Sequence, residues 1–180
     1  MYNHQIDKLT DYPFKRLDAL LSDIPAPQNS TPIMMSIGEP QHPAPSLITE
    51  ELKRNSSLWN KYPSAKGTIE FRLSVKKWLL RRFNLHEDTL DTERNILPLA
   101  GSREGLYMSA QLTVSNNTKA GKPIVLIPNP FYQVYLGAAI LSNAEIFMLD
   151  LNENNNYQPE ISNLDKNTLK RISTYFICNP

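Results

Sequence analysis

PIVLIPNPFYQVYLGAAILSNAEIFML, residues 123–149, reads as strand, helix, strand. PIVLIP has no polar interruption, as a strand buried on both faces requires. Phe131, Tyr132 and Tyr135 open an Ala-rich helical stretch, and EIFML, 145–149, is a second strand. Toward the C-terminus the pattern repeats. NENNNYQP (152–159) is a polar loop, NLDKNTLKRI (163–172) a helix, and STYFIC (173–178) a short strand rich in β-branched and aromatic residues. Toward the N-terminus, NILPL (95–99) is expected as a strand. Gly101-Ser102 is its turn and REGLYMSAQLTVS (103–115) the helix that follows. Strand–helix alternation at this spacing predicts an α/β fold with a mostly parallel sheet, and leaves strand order open.

Upstream of residue 95 the pattern is helical. Ser46 is a candidate cap for a helix over 46–58 with Leu47, Ile48, Leu52 and Leu58 on its apolar face. Pro63 and Gly67 break it. Thr68 caps a longer helix to about Phe83, with Ile69, Leu73, Val75, Trp78 and Leu79 on one side and Arg72, Lys76, Lys77 and Arg81 on the other. Residues 1–45 are irregular apart from one short helix beginning at Pro13. An extended arm this apolar needs a surface to lie on, its own domain or a second subunit.

The bulk properties exclude more than they assign. The chain has 180 residues, 41% apolar and 21% charged, with 19 basic and 18 acidic side chains and a net charge of +1. That balance makes no case for nucleic acid or a membrane surface. Arg81-Arg82 reads as a solvated helix face. A single cysteine, Cys178, rules out an internal disulfide framework, and its place at a strand end suggests a small buried hydrophobe. No apolar stretch is long enough to span a bilayer, and the first residues show no basic region followed by an apolar run. The cytoplasm is the default location.

Four stretches carry candidate chemistry. In LAGSREG, 99–105, Gly101 permits a tight turn and the helix start at Ser102 offers free N–H groups. Ser102 adds a hydroxyl and Arg103 a charged fork, so phosphate or carboxylate binding competes with a plain capped helix. In IPNPFYQVY, Tyr132 and its aromatic neighbours follow a strand's C-terminal end, where a ring stacks on a flat ligand or simply joins the core. In SIGEPQHPAP, 36–45, Gly38 suggests a close backbone approach. His42 has no partner at metal-ligand spacing, so no metal is expected. Tyr62, beside the turn in KYPSAKG, is an exposed anchor or hydrogen-bond donor. Asn179-Pro180 is a turn signal.

In their order and spacing, DYPFKRLDALL, SIGEPQHPAP, YPSAKG, LAGSREGLY, PNPFYQVYLGAA and YFICNP resemble the class I/II aminotransferases, fold-type I pyridoxal-phosphate enzymes. Within that family they are most similar to the succinyldiaminopimelate transaminases. The resemblance implies a partial, mostly parallel three-layer α/β/α large domain. Residues 46–180 would form its N-terminal part, after an arm and part of a small domain over 1–45. It implies pyridoxal 5'-phosphate as cofactor, with Gly101, Ser102 and Arg103 at the phosphate and Tyr132 stacked on the ring. Tyr62 would reach the neighbouring subunit's phosphate in a homodimer, and Gly38 would lie against the substrate carboxylate. The implied substrates are an amino acid and a 2-oxoacid, as in transamination of N-succinyl-LL-2,6-diaminopimelate with 2-oxoglutarate in lysine biosynthesis. Other aminotransferase substrates, or a non-catalytic remnant, remain open. The Asn that meets the cofactor ring oxygen, the Asp at the ring nitrogen, the Schiff-base Lys and the substrate Arg would all follow Pro180. Lys61, Lys66 and Lys122 match no such position. An N-terminal fragment, inactive and poorly soluble by itself, is therefore expected.

Overall fold

A computed structural model describes residues 2–25, 27–31, 33, 35–115 and 119–178. Two compact units form, one from residues 1–16 and 99–180, the other from 17–98. In chain order the helices and strands are α1 (Pro13–Leu21), α2 (Ser46–Arg54), α3 (Ile69–Phe83), α4 (Ser102–Thr113), β1 (Ile124–Asn129), α5 (Gln133–Leu141), β2 (Glu145–Asp150), α6 (Lys166–Arg171) and β3 (Ile172–Tyr175).

The first unit is built on a three-stranded sheet ordered β2-β1-β3. Both pairings are parallel. Ile124 faces Glu145 and Asn129 faces Asp150 in the β1–β2 register. The β1–β3 ladder is irregular between Ile124 and Val125. Because side chains alternate across a strand, β1 feeds two cores. Val125 and Ile127 join Ala110 of α4, Tyr135, Ala138 and Ala139 of α5, and Phe176. Ile124 and Leu126 join Leu149, with Ile161, Leu164 and Tyr175 packed against them. This double burial explains why the β1 sequence lacks polar interruption. Burial also raises the phenol of Tyr175 above the usual tyrosine range. Small residues let α4 and α5 approach, and Gln111 Nε2 donates to Ser142 Oγ at 2.6 Å across that contact.

The helix ends follow local chemistry. Asp165 accepts from the N–H groups of Asn167 at 2.8 Å and Thr168 at 3.0 Å, opening α6. Those bonds, with the Thr168 hydroxyl foremost, hold its carboxyl below the usual carboxylate range. Thr68 Oγ1 accepts from Phe71 N at 3.2 Å, so the expected cap of α3 is present. Ser46 is not a cap. Pro45 holds that position, and Ser46 is the first helical residue. The helix expected over 46–58 ends at Arg54, and a short 3-10 turn, Ser56–Leu58, follows.

The unit over 17–98 is organised by a charge. Arg72, expected on the solvated face of α3, is buried. Its guanidinium pairs with the Glu93 carboxylate and donates to the Thr92 carbonyl at 3.1 Å. Lys66 Nζ reaches the same carboxylate at 3.1 Å. Hydrogen bonds from Lys66 and then Arg72 hold the Glu93 carboxyl below its ordinary range. The apolar residues of α3 lie largely outward, with Ile69, Leu73 and Trp78 exposed. Arg81 and Arg82 are exposed, as expected. Gly67 sits at φ +72°, and a Cβ there would lie 2.8 Å from Pro98 Cγ, so glycine is required twice over.

Two further expectations fail. NILPL is not a strand, because among the described residues no strand pairs with it, and Leu97 and Leu99 are exposed. The last strand stops at Tyr175, although Phe176 N still donates to Leu126 O at 3.0 Å. Cys178 therefore lies past the buried ladder and is exposed instead of core-forming. Asn179 and Pro180 lie outside the described residues.

Candidate functional site

Parallel pairing puts the C-terminal ends of β1, β2 and β3 along one edge of the sheet, the edge where open α/β sheets bind ligands. A cavity of about 670 Å³ lies there. Pro130, Phe131 and Tyr132 after β1, Leu151 after β2, and Cys178 after β3 line it, with Tyr157 and Gln158 from the loop. Its wall is mostly apolar, as small-molecule sites are. Asn129 Nδ2 donates to Asp150 Oδ1 at 2.8 Å and ties two of the strand ends together.

Helix α4 starts beside this edge. Gly101 is its N-cap and supplies no side-chain cap. Within the helix, Gly105 N already reaches Gly101 O at 3.3 Å, so the amides of Ser102, Arg103 and Glu104 precede the first helical bond and have no helical carbonyl to meet. Ser102 and Arg103 are exposed. The tight turn expected at Gly101 does not require glycine, since its φ of −177° is ordinary extended backbone. The space a side chain would take is filled by Glu104, whose Oε2 would lie 2.6 Å from a Cβ there, folded over the helix start.

Arg103 and Tyr132 meet. Arg103 Nε donates to Tyr132 Oη at 2.8 Å. That contact is the main reason the guanidinium pKa is raised further, so Arg103 is a cation throughout. Tyr132 is half-buried and lines both the large cavity and a smaller one of about 180 Å³ beside Tyr12 and Arg103. Its ring meets Tyr135 edge-on, at 5.8 Å between centroids and 87° between planes. Tyr135 in turn stacks on Phe176 at 4.4 Å and 5°. Burial, then the nearby Cys178, raises the Tyr135 phenol above the usual tyrosine range.

The other two candidates belong to the unit over 17–98. Tyr62 is fully exposed. Around Gly38 nothing lies within 4 Å of a built Cβ, so no described residue makes the close approach expected there. Among the described residues no group of three or more His, Cys, Asp or Glu could hold a metal ion. No helix among them is long and apolar enough to cross a membrane.

The family model for aminotransferase class I and II matches residues 30–180. The chain belongs to the class I and II aminotransferases. An LL-diaminopimelate aminotransferase of Desulforudis audaxviator is 30% identical over 178 residues, which cover 98% of this chain and 43% of that protein. Among solved structures, an aminotransferase from Neisseria meningitidis superposes with a TM-score of 0.89 at 34% identity, over 99% of this chain and 44% of that one. The aminotransferase AspB of Helicobacter pylori gives 0.81 at 29% identity, over 93% and 41%. The chain thus spans less than half the length of the aminotransferases it matches.

Aminotransferases of this family work with pyridoxal 5'-phosphate, and the residues present fit such a group. An anion has a helix start whose first amides have no helical carbonyl, a hydroxyl and a guanidinium. A flat ring has the half-buried face of Tyr132 beside a cavity of sufficient size. Of the aromatics weighed as stacking or core residues, Tyr135 is core, while sequence reasoning missed Phe176 beneath it and the bond between Arg103 and Tyr132. The Arg103–Tyr132 bond joins the starts of two helices, 29 residues apart, and has no local signature.

Proposed function

We propose that the whole protein is a pyridoxal-phosphate-dependent aminotransferase of lysine biosynthesis. In this reading it passes an amino group between N-succinyl-LL-2,6-diaminopimelate and 2-oxoglutarate, as a homodimer in the cytoplasm. Residues 46–180 form the N-terminal part of its cofactor-binding domain, and 1–45 an arm with part of a small domain. The observation that supports this best is an anion-binding helix start bonded directly to an aromatic ring on the ligand-binding edge of a parallel sheet.

The bound cofactor's ring supplies an electron sink for charge developing at the substrate α-carbon. This chain's residues do the holding. The amides at the start of α4, the Ser102 hydroxyl and the terminal nitrogens of Arg103 bind the phosphate, at the positive end of the helix dipole. Gly101 adds no side chain to this approach, and the Glu104 carboxylate folded over it would have to swing aside for an anion. Tyr132 covers one face of the ring and keeps water from it. Tyr62 is assigned to the partner subunit's phosphate, and its full exposure here agrees with that. Gly38 is assigned to the substrate carboxylate. No residue of this chain is assigned a proton-moving role. Lys66 is engaged by Glu93.

A second reading rests on the relative from Desulforudis audaxviator, named LL-diaminopimelate aminotransferase. In it the substrate carries no succinyl group. The test is glutamate formation by the whole protein from 2-oxoglutarate with each amino donor separately. Turnover with the succinylated donor at the higher kcat/KM supports the first reading, and the reverse order supports the second. No glutamate from either donor overturns both.

A further inference from the structure

A ring that stacks on a ligand is useful only if it already points the right way. Tyr132 is half-buried, so packing alone leaves its side chain partly free. Two contacts restrict it in different ways. The Arg103 bond meets the phenol oxygen, which lies on the ring's own long axis. It therefore sets where the ring points and does nothing to its twist. The twist is limited by the edge-on contact with Tyr135. That contact is firm because Tyr135 is buried, stacked on Phe176, and donates from its hydroxyl to the Ile177 carbonyl at 3.4 Å.

The nitrogen that Arg103 spends on the phenol also matters. Nε is the nitrogen used, which leaves the two terminal nitrogens of the same rigid plane for an anion. Since the guanidinium is planar, an anion that orders its terminal nitrogens also orders Nε, and the phenol with it. Lysine offers one ammonium and could not serve both partners in one plane.

We propose that Arg103 is a positioning residue for the Tyr132 ring, so that one guanidinium couples the anion seat to the stacking surface. This rests on the cofactor reading above and adds a role beyond phosphate contact. The test uses the whole protein freed of cofactor, with Arg103→Met, Tyr132→Phe and the double variant. Equilibrium binding is measured by fluorescence for pyridoxal 5'-phosphate, for pyridoxal, which lacks the phosphate, and for inorganic phosphate. Each single substitution is expected to weaken pyridoxal by roughly threefold to tenfold, as loss of one partly exposed charged hydrogen bond would. The double variant is expected to be no weaker than either single one. Tyr132→Phe should also weaken inorganic phosphate, by less than Arg103→Met does, because coupling through one rigid plane acts in both directions. If Arg103→Met weakens the phosphorylated ligand alone and leaves pyridoxal unaffected, or if the two losses multiply, the positioning role is overturned. If the unsubstituted protein binds neither pyridoxal compound, the cofactor reading itself fails and takes this role with it.

Discussion

Ile124 to Ile127 of β1 are at most 1% exposed, whereas Leu47, Ile48 and Leu52 of α2 are all more than half exposed. Both stretches are apolar. They differ in what the rest of the chain offers them. A central parallel strand has neighbours on both edges and layers on both faces, so its burial is complete within the unit over 1–16 and 99–180. An amphipathic helix needs one covering layer, and no described residue covers the apolar side of α2. In the unit over 17–98 the only buried described residue is Arg72, held by charge pairing. The sheet is thus held by apolar burial. The helical unit is ordered by a polar link between α3 and the loop at Glu93.

The largest expected effect comes from cutting into the sheet. Ile127→Ala removes a side chain with no exposed surface and should cost about 2–5 kcal/mol, read from urea unfolding of the whole protein. Arg72→Ala should cost less, about 1–2 kcal/mol, because its partner carboxylate is half in water. Leu52→Ala is expected to stay within about 1 kcal/mol. A Leu52 loss equal to that of Ile127 would break the contrast. The smallest effect is one of pH. Glu93 and Asp165 both have depressed folded-state values, so their contributions are present above the unfolded carboxyl pKa and are lost as pH falls through the folded one. Glu93→Gln should therefore flatten the acid side of the melting curve, and an unchanged acid limb would count against the Arg72–Glu93–Lys66 link.

Legibility from the sequence followed the same divide. β1, α5 and β2 could be read because each is a short, largely apolar run bounded by turn or polar residues, in a unit that buries it locally. The expected solvation of Arg72 failed because helical periodicity ranks faces by polarity and takes no account of a partner 21 residues away. NILPL failed as a strand because a ladder needs a neighbour that local pattern does not supply. At the site, Ser102 was legible as a helix start after a glycine, and Tyr132 as an aromatic past a buried strand. The bond between Arg103 and Tyr132 was not, since it arises only when the starts of α4 and α5 come together beside one sheet edge.

The central claim is that this edge holds pyridoxal 5'-phosphate, with its anion at Ser102 and its ring on Tyr132. Its most direct test is cofactor affinity of the whole protein after Ser102→Ala and Tyr132→Ala, with Leu52→Ala as the comparison outside the sheet unit. The account predicts losses of roughly tenfold or more for the first two and none for the third. Equal affinities in all three variants would contradict it.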